Sequence, residues 1–394
     1  MFENLKAPEA DKILRLMASF AADGRTDKVD LGVGVYRNPQ GQTPVMAAVR
    51  EAEAVIAATQ VTKSYVGLSG DPAFCGALRE LILGDAVAAD RVATCATPGG
   101  TGAVRQALEM ARRVSPDAAV WMPTPTWPNH PAIVGHLGQT ARSYRYYDEA
   151  TGGVDRQAML ADLAQAKAGD VVLLHGCCHN PTGADLSARD WRAIGDLLEM
   201  TGAVPFIDMA YLGFANGLRE DAAGTRHLAA RLPEVLIAAS CSKNFGLYRE
   251  RVGLCLAVTS GPAPREAVSG LMAHLNRQTF AFPPDHGARV VQTILSDARL
   301  REMWQAELTL MRETMDTNRA ALAAALRDET GSARFDFLAA HRGMFSLIGA
   351  DPVQVETLRR DHGIYVVGDG RMNVAGLTPE TTPKVARALA LVLG

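Results

Sequence analysis

The chain has 394 residues, of which 48% are hydrophobic and 21% charged, enough for two or three domains with a large core. Its net charge of −3 argues against nonspecific binding to nucleic acid or to an acidic membrane surface. We expect a cytoplasmic protein, because the first residues form no apolar signal segment and no apolar stretch is long enough to span a bilayer. Six cysteines in a chain of this length predict no disulfide framework.

Short apolar runs alternate with helical patterns between about residues 89 and 260. The runs 118–122, 171–174, 203–207 and 235–239 are typical of buried strands, and residues 188–200 of an amphipathic helix. This alternation indicates βαβ units. We therefore predict an α/β fold in which residues 44–305 form a large domain with a mostly parallel central sheet.

The pattern changes after about residue 288. A long helix is predicted over 300–327, and it is followed by strand candidates at 334–338, 343–347 and 364–367 and by a final helix at 383–392. We predict a smaller α+β domain, residues 306–394, joined to the large domain through the long helix. Residues 1–43 are grouped with it, although their pattern alone is compatible with packing on either domain.

A glycine-rich turn, residues 97–103, leads into a helical pattern over 104–114. Backbone N–H groups of Gly100 and the hydroxyl of Thr101 would lie at a helix N-terminus, which is a natural anion site. A dinucleotide-binding turn is less compatible, because Arg105 stands where a third small residue is expected. A plain glycine turn without a ligand remains the alternative.

Two more strand ends carry polar side chains. Asn180 precedes a proline after the run 171–174, and by itself this pair indicates only a turn. Asp208 ends the run 203–207, with Tyr211 three residues later. A carboxylate there is costly unless it is paired, and a protonated pyridine nitrogen would be a suitable partner. A helix N-cap is the alternative role for Asp208.

Lys243 follows the buried run 235–239, at the sheet edge where open α/β folds bind ligands. A desolvated lysine amine can form a Schiff base with an aldehyde. Arg251, Ser240 and Ser242 supply a cation and hydroxyls that suit a phosphate. Aldehyde plus phosphate describes pyridoxal 5'-phosphate. A lone loop lysine is more often a solvated charge, so the prediction depends on the other strand ends.

The segment 175–179 holds two histidines and two cysteines. A zinc site is disfavoured, because adjacent side chains on a strand point to opposite faces and could not all reach one ion. We predict no metal site.

Taken together, these motifs resemble the pyridoxal-phosphate aminotransferases of fold type I, in their aspartate and aromatic amino-acid branch. The resemblance covers nearly the whole chain. It is carried by the segments 31–36, 99–102, 127–130, 179–183, 242–246 and 371–376.

The resemblance implies a role for each candidate residue around the cofactor. Lys243 would hold the cofactor covalently, and Asp208 would pair with its pyridine nitrogen. Tyr211 and Asn180 would bind its phenolic oxygen, and Trp127 would stack on its ring. The phosphate would be bound by Gly100, Thr101, Ser240, Ser242, Arg251 and, from the neighbouring subunit of a homodimer, Tyr65. The N-terminal arm would reach the dimer partner.

Substrate contacts are implied in the same way. Arg371 would bind the α-carboxylate in a bidentate pair, and Gly34 would lie against the substrate. Arg277 of the partner subunit would meet a distal carboxylate. His130 and His175 would support Trp127 and Asp208, with simple core packing as the alternative.

Substrate specificity depends on Arg277 and the residues that follow it. Arg277 favours dicarboxylates, but the apolar pair Ala281 and Phe282 departs from the polar pattern of aspartate-specific members. A less tethered guanidinium can turn to water when an aromatic side chain enters. We predict transamination of aromatic amino acids (tyrosine, phenylalanine and, as a further candidate, tryptophan) and of aspartate and glutamate, with 2-oxoglutarate as acceptor.

Other functions are compatible with parts of this pattern. An aspartate aminotransferase with little aromatic activity is the nearest. The same fold also supports decarboxylation and β-elimination, but two substrate-binding arginines favour transamination. A ligand-sensing regulator would need an added basic DNA-binding segment.

Overall fold

The computed structural model describes residues 2–5, 11–38 and 40–394. Residues 1, 6–10 and 39, all within the segment grouped with the predicted small domain, lie outside the described residues. None of the described helices combines the length and the apolar character needed to cross a membrane.

Helices are the main element of the described chain. They are α1 Lys12–Ala22, α2 Ala47–Thr59, α3 Pro72–Leu83, α4 Gly99–Val114, α5 Asn129–His136, α6 Arg156–Leu163, α7 Ala188–Thr201, α8 Leu218–Arg231, α9 Pro262–Thr279, α10 His286–Ser296, α11 Ala298–Thr330, α12 Phe337–Ala340, α13 Pro352–His362 and α14 Thr382–Leu393. Short 3₁₀ turns lie at Phe2–Asn4, Ala89–Arg91 and Val374–Gly376.

The strands of the described residues are shorter and are grouped in four sheets. They are β1 Val29–Asp30, β2 Val92–Pro98, β3 Ala119–Thr124, β4 Thr140–Arg145, β5 Tyr147–Asp148, β6 Gly153–Val154, β7 Val171–His175, β8 Val204–Met209, β9 Val235–Ser240, β10 Val252–Val258, β11 Phe345–Leu347, β12 Ile364–Tyr365 and β13 Arg371–Asn373.

Seven strands form the central sheet in the order β2-β10-β9-β8-β7-β3-β4. All neighbours are parallel except that β10 runs antiparallel to both β2 and β9. The predicted α/β fold with a mostly parallel sheet is therefore confirmed. Because β3, β7, β8 and β9 are parallel, their carboxyl ends meet at one edge of the sheet.

Both faces of the sheet are covered by helices, which explains why the strands are apolar without alternation. Along β7, Val171 and Leu173 belong to one hydrophobic cluster, together with residues of α4 and α9. Val172 and Leu174 belong to the other, together with residues of α7, α8 and α10. Side chains of a strand point alternately to its two faces, so every residue of β7 is buried.

Local signals in the sequence place the helix ends. A capping box of Ser187 and Asp190 begins α7, and Gly202 in the left-handed conformation (φ 72°) ends it. The predicted helix 188–200 is confirmed by α7. Helix α4 begins at Gly99 and not at residue 104, so the glycine turn forms its first turn.

The long helix α11 has 33 residues and confirms the helix predicted over 300–327. It packs against α2 and α10 at one end and against α12 and α14 at the other. The part of the chain that follows α11 contributes to two small sheets, the antiparallel pair β11 and β13 and the parallel pair β1 and β12. The pairing of Val29 with Ile364 ties the N-terminal segment to the C-terminal part of the chain.

The strand predicted over 334–338 is wrong. The chain instead makes a turn there and then forms the short helix α12. Phe335 and Leu338 are both buried, and their spacing of three residues matches a helical turn. A short apolar run cannot be assigned to strand or helix by its pattern alone. The strand candidates 343–347 and 364–367 are confirmed in part, by β11 and β12.

Candidate active site

A cavity of about 180 Å³ opens at the edge of the sheet where the carboxyl ends of the parallel strands meet. It brings together most of the candidate residues, although they are far apart in sequence. Its walls include Gly34, Gly100, Thr101, Trp127, Asn180, Asp208, Tyr211, Ser240, Ser242, Lys243 and Arg251.

One end of the cavity is suited to an anion. Gly100 and Thr101 lie in the first turn of α4, where N–H groups are free of helical partners. The guanidinium of Arg251 lies alongside, with Nη1 3.4 Å from Ser242 Oγ. Gly99 has φ 71°, and a Cβ there would lie 2.5 Å from Arg251 Nη2. A glycine is therefore needed for the helix terminus and the guanidinium to lie side by side.

Asp208 provides a negative charge elsewhere in the cavity wall. Its Oδ2 accepts a hydrogen bond from His130 Nε2 at 3.0 Å. Burial alone would raise the pKa of Asp208, but the His130 hydrogen bond and the nearby charges hold the pKa below its usual value. Asp208 is thus a carboxylate at neutral pH. It ends β8 and precedes no helix, so the alternative of a helix N-cap is wrong.

A chain of hydrogen bonds runs behind Asp208 to the next strand end. His130 Nδ1 lies 2.8 Å from Thr126 Oγ1, which lies 3.2 Å from His175 Nε2. The backbone N–H of Asn180 points to His175 Nδ1 at 3.4 Å. Burial lowers the pKa of His175 to about 3, so the ring is neutral. We assign the direction from Asn180 through both histidines to Asp208, because the backbone N–H of Asn180 can only donate and the Asp208 carboxylate can only accept, so that every link between them has one donor and one acceptor.

Lys243 faces the cavity between these charged groups. Its Nζ lies 4.9 Å from the centre of the Tyr211 ring. Burial lowers the pKa of Lys243 to about 8; Asp208 opposes this shift, and the charges of Arg251 and Arg371 add to it. Roughly a tenth of the amine is therefore neutral and nucleophilic at pH 7, far more than for a lysine with an ordinary pKa. Burial also raises the pKa of Tyr211, which keeps its hydroxyl protonated.

Arg371 is a buried cation beside the cavity. Its Nη1 donates to Asn180 Oδ1 at 3.2 Å, and its Cζ lies 4.3 Å from the centre of the Phe345 ring. Its buried Nε has no hydrogen-bond partner, and none of the carboxylates in the described ranges forms an ion pair with its guanidinium. A buried guanidinium with an unused N–H donor can bind an anionic ligand, which would supply the missing hydrogen-bond acceptor.

Tyr65 and Arg277 lie outside this cavity. The side chain of Tyr65 is 82% exposed and stacks on Phe282, with ring centres 4.5 Å apart. Arg277 is also exposed at the end of α9, and its Cζ lies 5.9 Å from the centre of the same Phe282 ring. The two residues predicted to act on a partner subunit therefore lie close together on the surface of this one.

Among the residues that sequence reasoning missed are two aromatic side chains of the site. Tyr248 lines the cavity, and its hydroxyl accepts a hydrogen bond from the backbone N–H of Tyr36. Phe345 packs against both Arg371 and Gly34, where a Cβ would lie 2.9 Å from Cζ of Phe345. Neither residue carries a distinctive pattern, since an aromatic residue near a strand end more often belongs to the core.

These groups define what the cavity can bind. The anion site at the N-terminus of α4, a buried carboxylate and a lysine amine with a lowered pKa surround one small space, and a buried arginine lies beside it. Such a donor set fits an aldehyde-bearing, phosphorylated pyridine together with a carboxylate substrate. Fold and site together define the class of enzymes that transfer amino groups.

Comparison with known proteins leads to the same class. The family Aminotransferase class I and II matches residues 26–389, and the chain belongs to this family. It is 56% identical to the aromatic-amino-acid aminotransferase of Paracoccus denitrificans, over 99% of both chains. It is 42% identical to the aspartate aminotransferase of Escherichia coli (strain K12), over 100% of both chains. A solved aromatic-amino-acid aminotransferase from Burkholderia pseudomallei, covalently bound to pyridoxal phosphate, superposes with a TM-score of 0.97 at 38% identity over 100% of both chains.

Proposed function

We propose that this enzyme transfers amino groups from aromatic and dicarboxylic L-amino acids to 2-oxoglutarate or a related 2-oxo acid, with pyridoxal 5'-phosphate as cofactor. The observation that carries the proposal is the position of Lys243. Its amine has a pKa lowered to about 8 and faces the cavity. Asp208, Arg251 and the N-terminus of α4 line the same cavity.

The residues present fit the cofactor. Lys243 would hold its aldehyde carbon, and the α4 N-terminus with Thr101, Ser240, Ser242 and Arg251 would hold its phosphate. Asp208 would hold its ring nitrogen, Trp127 would cover the ring, and Tyr211 with Asn180 would bind its phenolic oxygen. When bound, the cofactor supplies an electron sink that stabilises a carbanion at the substrate Cα.

The protein directs the reaction through charge and proton position. Asp208, ionised and fixed by His130, favours a protonated ring nitrogen. Nζ of Lys243, freed when the amino group of the substrate replaces it on the cofactor, would take the proton from the Cα of the amino acid as a general base. Arg371 binds the α-carboxylate and so determines which Cα bond faces Lys243. Gly34 leaves room for the substrate, because any larger side chain would meet Phe345.

We further propose a homodimer with shared active sites, in which Tyr65 binds the neighbour's cofactor phosphate and Arg277 the neighbour's substrate. The exposure of both residues supports this arrangement. Residues 44–305 would act as the cofactor-binding domain and residues 1–43 with 306–394 as the small domain, a division supported by the pairing of β1 with β12. A cytoplasmic location is proposed from its relation to bacterial aminotransferases.

Dual specificity is supported by the surroundings of Arg277. Its guanidinium lies over the Phe282 ring, and none of the described carboxylates forms an ion pair with it. An exposed cation–π contact contributes about 0.5–1 kcal/mol, so the side chain can move at little cost. Arg277 can then approach a distal carboxylate or turn away from an aromatic ring.

The test is spectroscopic. Purified enzyme loaded with the cofactor is mixed with L-phenylalanine or with L-aspartate, without an acceptor, and the visible absorbance of the bound cofactor is followed. We expect rapid loss of the band with both amino acids. Loss with aspartate alone would instead indicate an aspartate aminotransferase with little aromatic activity. If no visible band forms after pyridoxal phosphate is added, the cofactor assignment is wrong.

Arg277→Leu should act on one substrate class only. We expect kcat/KM for aspartate to fall about 100-fold or more, because a charge-assisted contact to the distal carboxylate is lost. The value for phenylalanine should change less than about threefold. Steady-state kinetics with both substrates provide the measurement, and Arg113→Leu, another exposed arginine that contacts Gln278, is a matched control. An equal loss for phenylalanine would contradict the role of Arg277.

A further inference from the structure

Arg319, on helix α11, is an arginine buried without an ionic partner. Its exposure is 0%, and among the described residues no carboxylate forms an ion pair with its guanidinium. Burial lowers its pKa to about 10, so the side chain stays charged at neutral pH. Burying a charge without a counterion is costly unless its hydrogen bonds are well placed. The placement of these hydrogen bonds therefore indicates what the residue does.

Its hydrogen bonds all go to one short segment, residues 338–346. Nη2 donates to the carbonyl oxygens of Gly343 and Phe345, both at 2.7 Å, and Nη1 donates to Ser346 Oγ at 2.6 Å. Longer contacts reach the carbonyls of Leu338 and Arg342. One planar group thus holds both sides of the turn that leads into β11.

The same network continues through a histidine. Because a guanidinium can only donate, the hydroxyl of Ser346 is left to donate to His341 Nδ1 at 2.9 Å. His341 Nε2 then donates to the carbonyl of Gly152 at 2.6 Å. Burial lowers the pKa of His341 to about 4, so the ring is neutral and can accept. The network therefore links α11 to the hairpin of β5 and β6.

The segment 338–346 includes one of two residues that lie against the Arg371 side chain and contacts the turn that contains the other. Its Phe345 ring stacks on the Arg371 guanidinium at 4.3 Å. The backbone N–H of Arg342 donates to the carbonyl of Gly183 at 2.8 Å, at the end of the turn that begins with Asn180. Asn180 in turn accepts a hydrogen bond from Arg371. Phe345 and Asn180, which both contact the Arg371 guanidinium, are thus positioned by the segment 338–346 that Arg319 binds.

We propose that Arg319, acting through Ser346 and His341, is a positioning residue that fixes Phe345 and thereby orients Arg371 for the α-carboxylate of the substrate. Arg319 itself touches no substrate. The proposal rests on the proposed function in one respect, namely that Arg371 receives this carboxylate. Arg319 lies on α11, outside the cavity. It would nevertheless affect the binding of every substrate, because all of them carry an α-carboxylate.

The experiment compares two variants with a control. Ser346→Ala removes the hydroxyl that joins Arg319 to His341 and is the milder change. Arg319→Lys keeps the charge but loses the planar fork that spans the segment. Arg226→Lys is the matched control, because Arg226 also donates to backbone carbonyls, those of Leu81 and Ile82, but lies away from the cavity. For each holoenzyme, binding of 3-phenylpropionate is measured by calorimetry, together with kcat, KM, pyridoxal phosphate affinity and the thermal midpoint.

We expect the affinity for 3-phenylpropionate to fall about tenfold in Ser346→Ala and more in Arg319→Lys, since small displacements of a binding group have large effects. KM for phenylalanine and for 2-oxoglutarate should rise in parallel, with kcat changed less than about threefold, as for a loss of uniform binding. Affinity for pyridoxal phosphate should remain within about twofold, and Arg226→Lys should bind 3-phenylpropionate like the wild type.

Two results would overturn the inference. In the first, Ser346→Ala and Arg319→Lys lower the thermal midpoint but bind 3-phenylpropionate with wild-type affinity, so that Arg319 serves stability alone. In the second, Arg226→Lys weakens binding equally. Failure of the proposed function is distinguishable, because the wild type itself would then neither bind 3-phenylpropionate nor transaminate phenylalanine.

Discussion

Lys243→Ala should reduce transamination by at least about 10⁴-fold, the upper end of what a positioned general base contributes. Lys243 is the one lysine among the described residues that line the cavity, so no second amine there can take the Cα proton in its place. Burial lowers the pKa of Lys243 to about 8, so more of its amine is neutral near neutral pH than in a lysine of ordinary pKa. The measurement is kcat at saturating phenylalanine and 2-oxoglutarate.

A second readout separates loss of chemistry from loss of structure. Borohydride reduction of the wild-type enzyme with pyridoxal phosphate should add the cofactor mass to the peptide that contains Lys243, and mass spectrometry detects this. Lys243→Arg keeps a cation of similar length but should show neither the adduct nor turnover. A Lys243→Ala enzyme with a near wild-type rate, or an adduct on a different lysine, would disprove the assignment.

Asp208→Ala should lower kcat about 10³-fold, as expected when a preorganised charge opposite the developing transition state is removed. The ring nitrogen would lose the carboxylate that keeps it protonated, and His130 Nε2 would lose its acceptor. An unpartnered buried donor also destabilises the fold, by about 1–3 kcal/mol. The measurements are kcat and the free energy of unfolding.

Asp170→Ala is the matched control for Asp208→Ala. Asp170 is also buried and precedes β7 at the opposite edge of the sheet, where its carboxylate accepts from Trp121 Nε1 and from backbone N–H groups. Removal of the Asp170 carboxylate should lower the free energy of unfolding about as much as Asp208→Ala does. The kcat of the folded Asp170→Ala enzyme should be unchanged. An Asp208→Ala enzyme with wild-type kcat would mean that the carboxylate is not needed for carbanion stabilisation.

Much of the fold could be predicted because the informative patterns are local. The buried strands and the helices α7 and α11 follow from hydrophobic periodicity and capping residues, which depend on near neighbours in sequence. The errors occur where the local pattern is short. Residues 334–338 form a turn and α12 because Phe335 and Leu338 pack into the core at helical spacing, and an isolated run of five residues does not specify that choice.

Some of the candidate residues could be predicted for a similar reason, and the others were indicated by the resemblance. Asn180, Asp208 and Lys243 each follow an apolar run, and parallel strands bring such ends to one edge regardless of detail. The pattern of apolar runs and polar ends is therefore sufficient to predict that Asn180, Asp208 and Lys243 are neighbours. The same rule does not predict that Tyr248 and Phe345 belong to the site, because Tyr248 lies in a loop and Phe345 in a separate small sheet.

The sequence by itself determined the order of the main elements and most of the reactive side chains, since these depend on residue type and short spacing, and its motifs indicated the class of enzyme through their resemblance to one family. Only the tertiary structure decided how those side chains are supported. The hydrogen bonds that run from Asn180 through two histidines to Asp208 join three separate segments. Those from Arg319 to residues 338–346 join a helix to a turn. Hydrogen-bond partners distant in sequence are chosen by packing and backbone geometry, which no local pattern encodes.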